Sequence, residues 1–212
     1  MEIRVSPNRM QLLHTRKRLV MARRGHKLLK DKRDELMRRF MELVERNKDL
    51  RIEVEEGLSV AFSELLKARM ETSAIRVEEA IMFPKERFSV SATEGSIVGV
   101  KVPKFEVERS EGGRSGIYPY GLANTDYQLD TAIKRLSDTV PKMLELAEVE
   151  KSTELLAAEI EKTRRRVNAL EHVLIPKLED SIKYITMKLD ETERGNLTRL
   201  MKVKEMVQQR GV

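Results

Sequence analysis

The stretch LLHTRKRLVMARRGHKLLKDKRDELMRRFMELVERNKDLRIEV, residues 12–54, decides the fold. In alternating steps of three and four it runs Leu12, Thr15, Leu19, Ala22, His26, Leu29, Arg33, Leu36, Phe40, Leu43, Asn47, Leu50 and Val54. Apolar residues at that spacing make one stripe along a helix, the seam of a coiled coil, and leave the charged residues on the other faces. The polar members His26, Arg33 and Asn47 weaken the seam and at the same time specify its alignment.

Working outward, the helix is expected to start at about Pro7 or Asn8 behind Ser6, since proline is tolerated where its missing N–H is not needed. It is expected to run to about Ile81 and to be closed by Pro84. Near Leu58 the pattern reads as slipping by one residue, through Ala61, Phe62, Leu65 and Leu66. Gly25 costs about 1 kcal/mol relative to alanine inside a helix, so a close backbone approach or a bend is expected there.

A second helical pattern opens at NTDYQLDTAIKRL, residues 124–136, with Asn124 or Thr125 placed to cap it. Leu129, Ile133, Leu136 and Val140 form its seam and Pro141 interrupts it. Met143, Leu144, Leu146 and Ala147 follow, then Leu156, Ile160, Val167, Leu170, Leu174, Leu178, Ile182, Ile185 and Leu189, and finally Leu200, Val203 and Val207. The four-residue steps from Leu170 to Ile182 relax left-handed supercoiling, and Pro176 within them implies a bend.

Between the two helices, ERFSVSATEGSIVGVKVPKFEVERSEGG (residues 86–113) alternates apolar and polar residues. It reads as a β-hairpin pairing 87–92 with 97–102 around a TEGS turn. RSEGGRSGIYPYGLAN (residues 109–124) reads as loop. The expected fold is mainly α: a long antiparallel two-helix coiled coil with a small hairpin insertion. The expected organisation is 1–83 for the first helix, 84–123 for the insertion and 124–212 for the second helix, the two helices forming one coil. A fold-back near 81 and 125 would set Arg164, Arg165 and Arg166 beside Glu42 and Glu45, as register-fixing ion pairs or as a basic face for an acidic partner.

Composition agrees with thin packing. Of 212 residues 36% are charged and 4% aromatic, with no tryptophan, which leaves little bulk for a thick interior. The net charge of +6 is concentrated at the N-terminal end, which suits nucleic acid, anionic lipid or an acidic protein surface. Cysteine is absent, which rules out disulfides, thiolate metal sites and cysteine nucleophiles. No run approaches the roughly 20 apolar residues of a membrane span.

No catalytic constellation is visible. His14, His26 and His172 lack the spaced partners of a metal site, SEGGRSG lacks the Lys-Ser/Thr pair of a phosphate loop, and the carboxylates alternate with Lys and Arg as solvated helix faces do. Neither catalytic residues nor a cofactor or metal is expected. A basic coiled-coil protein that binds nucleic acid through residues 9–39, or serves as a scaffold, is one reading of the residues alone.

Two blocks carry a resemblance. VSPNRMQLLHTRKRLVMARRGHKLLKDKRDELMRRF (residues 5–40), with its RGHKLLKDKRDEL core, and LAEVEKSTELLAAEIEKTRRRVNALEHVLIPKLEDSIKYITMKLDETERGNLTRLMKVKEM (residues 146–206) closely resemble the D subunit of the V-type/A-type rotary ATPases. The middle matches mainly at VKVP (Val100–Pro103), and PNRM stands where PTRM is expected, which touches only local capping. The resemblance implies a non-catalytic central-stalk rotor shaft that couples ATP hydrolysis or synthesis to ion translocation. Its implied partners are the A and B catalytic subunits, a small F subunit and a membrane-proximal socket subunit of the C/d type, on the cytoplasmic side of the cell membrane, with no nucleic acid and membrane contact only through the complex. Contact with the catalytic head is then expected at Arg9, Met10, Leu12, Arg16, Met201, Val203, Lys204 and Val207. A partner-binding or regulatory hairpin is expected at Phe88, Val90, Ile97, Val98 and Val100, and the shaft register at Phe40, Arg164, Arg165, Arg166, Val167, Leu170 and Pro176.

Overall fold

The computed structural model describes residues 6–84, 86–110, 118–121 and 126–210. The caps expected at Asn124 and Thr125 and most of the glycine-rich loop lie outside the described residues. In order come α1 (Arg9–Glu71), α2 (Ala74–Ile81), β1 (Arg87–Ile97), β2 (Val100–Ser110), α3 (Tyr127–Ala169), a π-turn (Leu170–Leu174) and α4 (Ile175–Arg210). The chain divides into two units, Met1–Asp34 with Glu161–Val212, and Glu35–Ile160.

Every one of the thirteen seam positions between Leu12 and Val54 is buried or half-buried. The largest fully buried aliphatic side chains are Leu36 and Leu50 on α1, Leu156 and Val167 on α3 and Ile185 on α4. Removing an aliphatic side chain of that size from water contributes about 1.5–3 kcal/mol, so stability is spread along the seam. Threonines and serines fill the narrow places between. Thr15, Thr139 and Ser181 each donate back to the carbonyl four residues earlier, at 2.7–2.8 Å, which satisfies the hydroxyl without a partner helix.

The first expected helix is two. α1 stops at Glu71, and Ser73, with an extended ψ of 139°, turns the chain into the separate helix α2. The heptad does not slip at Leu58: Gly57, Ala61, Leu65 and Ala68 continue it inward, while Phe62 and Leu66 are 53% and 60% exposed. The inward residues are small there because α1 and α3 run close together. A Cβ on Gly57 would stand 2.7 Å from Thr139 Oγ1, whereas one on Gly25 would meet nothing within 4 Å. The close approach expected at Gly25 is therefore at Gly57, and nothing in the structure explains Gly25.

Pro141 interrupts nothing, since α3 runs through it. Before Pro176 the helix takes a different course from the expected seam. In the π-turn the Ile175 N–H bonds the Leu170 carbonyl, five residues back, and a proline one position on has no N–H to demand the usual bond. The turn takes in one extra residue. Leu174 faces outward at 38% exposure, Ile175 takes its place on the half-buried side, and the seam steps by five from Leu170 before resuming at Leu178, Ile182, Ile185 and Leu189. Met143 and Ala147, also expected in the seam, are exposed.

The hairpin is longer than expected and turns elsewhere. β1 and β2 pair in register from Arg87↔Ser110 to Ile97↔Val100. The turn is Val98–Gly99, with φ of 52° and 78°, the two positive values a two-residue type I′ turn needs. Gly95 of the TEGS segment lies within the strand opposite buried Val102, whose Cγ2 would be 3.5 Å from an added Cβ. That glycine marks a close cross-strand contact, which from sequence alone resembles a turn.

Candidate functional site

The arrangement that can carry a function here is the seam, its flanking charges, the helix ends and the hairpin. In the first unit Arg23 donates to Glu179 at 2.7 Å, and Arg9 pairs with Glu193. These two pairs stand two heptads apart on both helices, so the register between α1 and α4 is constant over that length. His26 Nε2 lies 3.2 Å from Glu171 Oε2 within the π-turn. In the second unit Arg46 donates to Glu145 at 2.7 Å and Lys142 to Glu53 at 2.9 Å. The bond from Lys142 holds the Glu53 carboxyl below the usual carboxylate range. Such exposed pairs add little stability each, but opposite charges on antiparallel helices select one alignment over its neighbours.

Of the arginine triplet, Arg165 has its ion-pair partner within its own unit. Arg165 pairs with Glu161 one turn earlier on its own helix, and Glu42 receives Arg39 at 2.9 Å. The expected register assumed a fold-back at the end of α2. The chain instead folds back at the end of α1, where Gln128 donates to Glu71 at 2.9 Å. Of the other register residues, Val167 is buried, Phe40 and Leu170 are half-buried, and Arg164, Arg166 and Pro176 are exposed.

At the helix ends the structure separates residues that the sequence grouped together. Arg9, Met10 and Arg16 are exposed and Leu12 is half-buried, level with Glu193, whereas Met201, Val203, Lys204 and Val207 lie farther along α4. At 1.5 Å per residue Met201 is about 12 Å and Val207 about 21 Å beyond Glu193. Every α4 residue from Glu191 to Gln209 is exposed, Leu197, Leu200 and Met206 included.

The hairpin is fastened to the helices of its unit by two hydrogen bonds. Ser137 donates to Glu86 at 2.7 Å at its base, and the Phe105 N–H donates to Glu148 Oε2 at 2.8 Å along β2. At its tip Ser96, Ile97 and Val98 share a cleft with Glu35, Arg39, Glu42 and Leu43 of α1. Phe88, Ile97, Val98 and Val100 are half-buried, while Val90 and its cross-strand partner Val107 form an exposed apolar pair. Sequence reasoning did not find Glu148, because a carboxylate serving one strand amide has no spacing signature.

The fold-back end holds two perturbed groups. Burial, and the 2.7 Å hydrogen bond that its hydroxyl donates to Asp130, push the Tyr120 phenol well above its ordinary value. The neighbouring Asp126 carboxyl, by hydrogen bonding and by repulsion, raises Glu71 above the usual carboxylate range. Among the described residues no group of three or more His, Cys, Asp or Glu could hold a metal ion, and no helix is long and apolar enough to cross a membrane.

Residues 11–205 match the family of the ATP synthase D subunit. The chain belongs to that family. It is 56% identical over 205 residues to the V-type ATP synthase D subunit of Acetivibrio thermocellus, covering 97% of this chain and 92% of the relative. It is 55% identical over 205 residues to the D subunit of Thermoanaerobacter sp. (strain X514), covering 97% of each, and 55% identical over 207 residues to that of Clostridium novyi, covering 97% and 96%. These D-subunit relatives match both helices and the insertion between them, so the hairpin is part of the family's chain. The nucleic-acid reading is not favoured.

Proposed function

We propose that this chain is the central-stalk rotor component of a V-type ATP synthase and carries torque between the catalytic head and the ion-carrying membrane ring without catalysing a reaction itself. The near full-length family match carries this reading, and the antiparallel seam supports it. A part that transmits torque needs a fixed register, and α1 and α4 keep theirs over two heptads between ion pairs of matched spacing.

The exposed apolar residues support particular partners. Met10, Met201, Val203 and Val207 offer side chains to the A and B subunits, with Arg9, Arg16 and Lys204 beside them. The Val90–Val107 pair and Phe88 offer the hairpin to the F subunit, and exposed Met70, Met82, Phe83 and Tyr127 near the fold-back offer a seat for the socket subunit. Localisation at the cytoplasmic face of the cell membrane follows from such a complex.

The test is reconstitution. Purified chain mixed with A, B and F subunits is expected to co-elute with them and to sustain ATP hydrolysis that a truncation lacking residues 1–12 supports less well. Elution of the chain with nucleic acid alone, free of those subunits, would reject the assignment.

A further inference from the structure

From Ile3 to Lys30 the chain contains no aspartate or glutamate and nine arginines and lysines. The α4 segment that runs alongside, Ile175 to Arg199, carries five charges of each sign. The excess positive charge at this end of the coil therefore belongs to α1. Residues three and four apart share one side of a helix, so Arg16, Lys17, Val20, Arg24 and Lys27 form one stripe, turned away from the seam residues Leu19, Ala22 and His26. All five are exposed.

Nearer the seam, Arg9 and Arg23 meet Glu193 and Glu179 across the coil. Among the described residues no carboxylate pairs with Arg16, Lys17, Arg24 or Lys27. Leu13, Val20 and Leu28 stand in or beside the same stripe, at 56%, 48% and 69% exposure. Unmatched positive charge and open aliphatic side chains in one strip fit a partner that offers negative charge above an apolar layer. An anionic lipid surface offers both, because basic side chains reach the headgroups while their stems lie along the hydrocarbon boundary. A nucleic acid would use the charges and leave the aliphatic side chains in water, and the stripe has no Phe, Tyr or Trp on which a base could stack.

We propose that this outer face of α1 docks the free chain directly on anionic lipid, with α1 lying along the membrane surface. Without large aromatic side chains the insertion is shallow, and attraction between charges supplies most of the binding. The inference does not rest on the rotor reading. It concerns the chain before assembly, since that reading turns Arg16 toward the A and B subunits, and it departs from the resemblance, which implies membrane contact only through the complex.

The experiment floats the full-length chain with vesicles of phosphatidylcholine, alone or mixed with phosphatidylglycerol. Binding is expected to the mixed vesicles only, and it should fall as added salt shortens the Debye length. Each Lys or Arg near an anionic surface contributes a factor of about five, so Arg24→Gln with Lys27→Gln should weaken the partition about 25-fold and leave helicity by circular dichroism unchanged. Lys48→Gln with Lys151→Gln removes the same charge from exposed positions of the other unit, and this variant should bind within about twofold of the native chain. No binding to the mixed vesicles, equal binding to both kinds, an equal loss in the Lys48 and Lys151 variant, or preference for duplex DNA over the mixed vesicles at the same salt would each overturn the inference.

Discussion

Two glycines in α1 give one substitution with opposite expected outcomes. At Gly25 an added Cβ meets nothing within 4 Å, so Gly25→Ala should stabilise by the propensity difference, about 1 kcal/mol. Gly57→Ala starts from the same gain but sets its Cβ 2.7 Å from Thr139 Oγ1 and 3.3 Å from Thr139 Cγ2. Turning Thr139 about χ1 offers little relief, because a β-branched side chain in a helix exchanges hydroxyl for methyl at the same place. Its hydroxyl is also held by the Arg135 carbonyl at 2.7 Å. Overpacking of this kind costs about 1–3 kcal/mol, so Gly57→Ala should lose about 0–2 kcal/mol net. With Thr139→Ala in place the nearest remaining atom of residue 139 is its Cβ at 3.6 Å, an ordinary contact, and Gly57→Ala should again gain about 1 kcal/mol. The coupling between positions 57 and 139 is then about 1–3 kcal/mol, read from a double-mutant cycle of urea unfolding curves followed by far-ultraviolet circular dichroism. If Gly57→Ala stabilises as much as Gly25→Ala in the native background, the close helix approach argued from Thr139 is wrong.

At the π-turn, Ile175→Ala should cost about 1–2 kcal/mol and Leu174→Ala under about 1 kcal/mol, and the reverse order in urea unfolding would restore the unshifted heptad. Glu148→Ala should free the Phe105 amide, a bond of about 1.5–3 kcal/mol to a charged acceptor, so that the β2 amides exchange hydrogen faster while helicity stays unchanged. Glu71 titrates above the ordinary carboxylate range because of Asp126, so the folded chain holds a proton that the unfolded chain has released. Its contribution to stability is therefore present at low pH and is lost as pH rises from the ordinary carboxylate value through the raised one. Asp126→Asn should lower the Glu71 midpoint in an NMR titration and shrink that loss, and an unmoved midpoint would show that Asp126 is not the cause.

The seam was legible because burial of one stripe along a helix leaves a periodic trace, and all thirteen seam positions from Leu12 to Val54 followed it. The features that sequence reading misplaced are those in which a local choice overrides the period. Ser73 ends α1 through a backbone turn with no side-chain cap bond, so its sequence trace is faint. Val98 is a β-branched residue at positive φ, the last type that turn chemistry would nominate, and Gly95 nearby drew the assignment away from it. The four-residue steps after Leu170 were visible, but they read as a smooth change of pitch, whereas the backbone makes the adjustment in a single turn. The partner residues were named from the resemblance. Their exposure depends on where α1 begins and α4 ends, which the stripe leaves open.

The widened turn before Pro176 also bears on elasticity. A helical rod under torsion yields first where its backbone hydrogen bonds are longest or missing, and here a five-residue ring and a residue without a donor adjoin each other. Twist applied to α4 would collect at that point and spare the residues beyond Leu178, much as a shaft with one softer collar stores its wind-up at a chosen place.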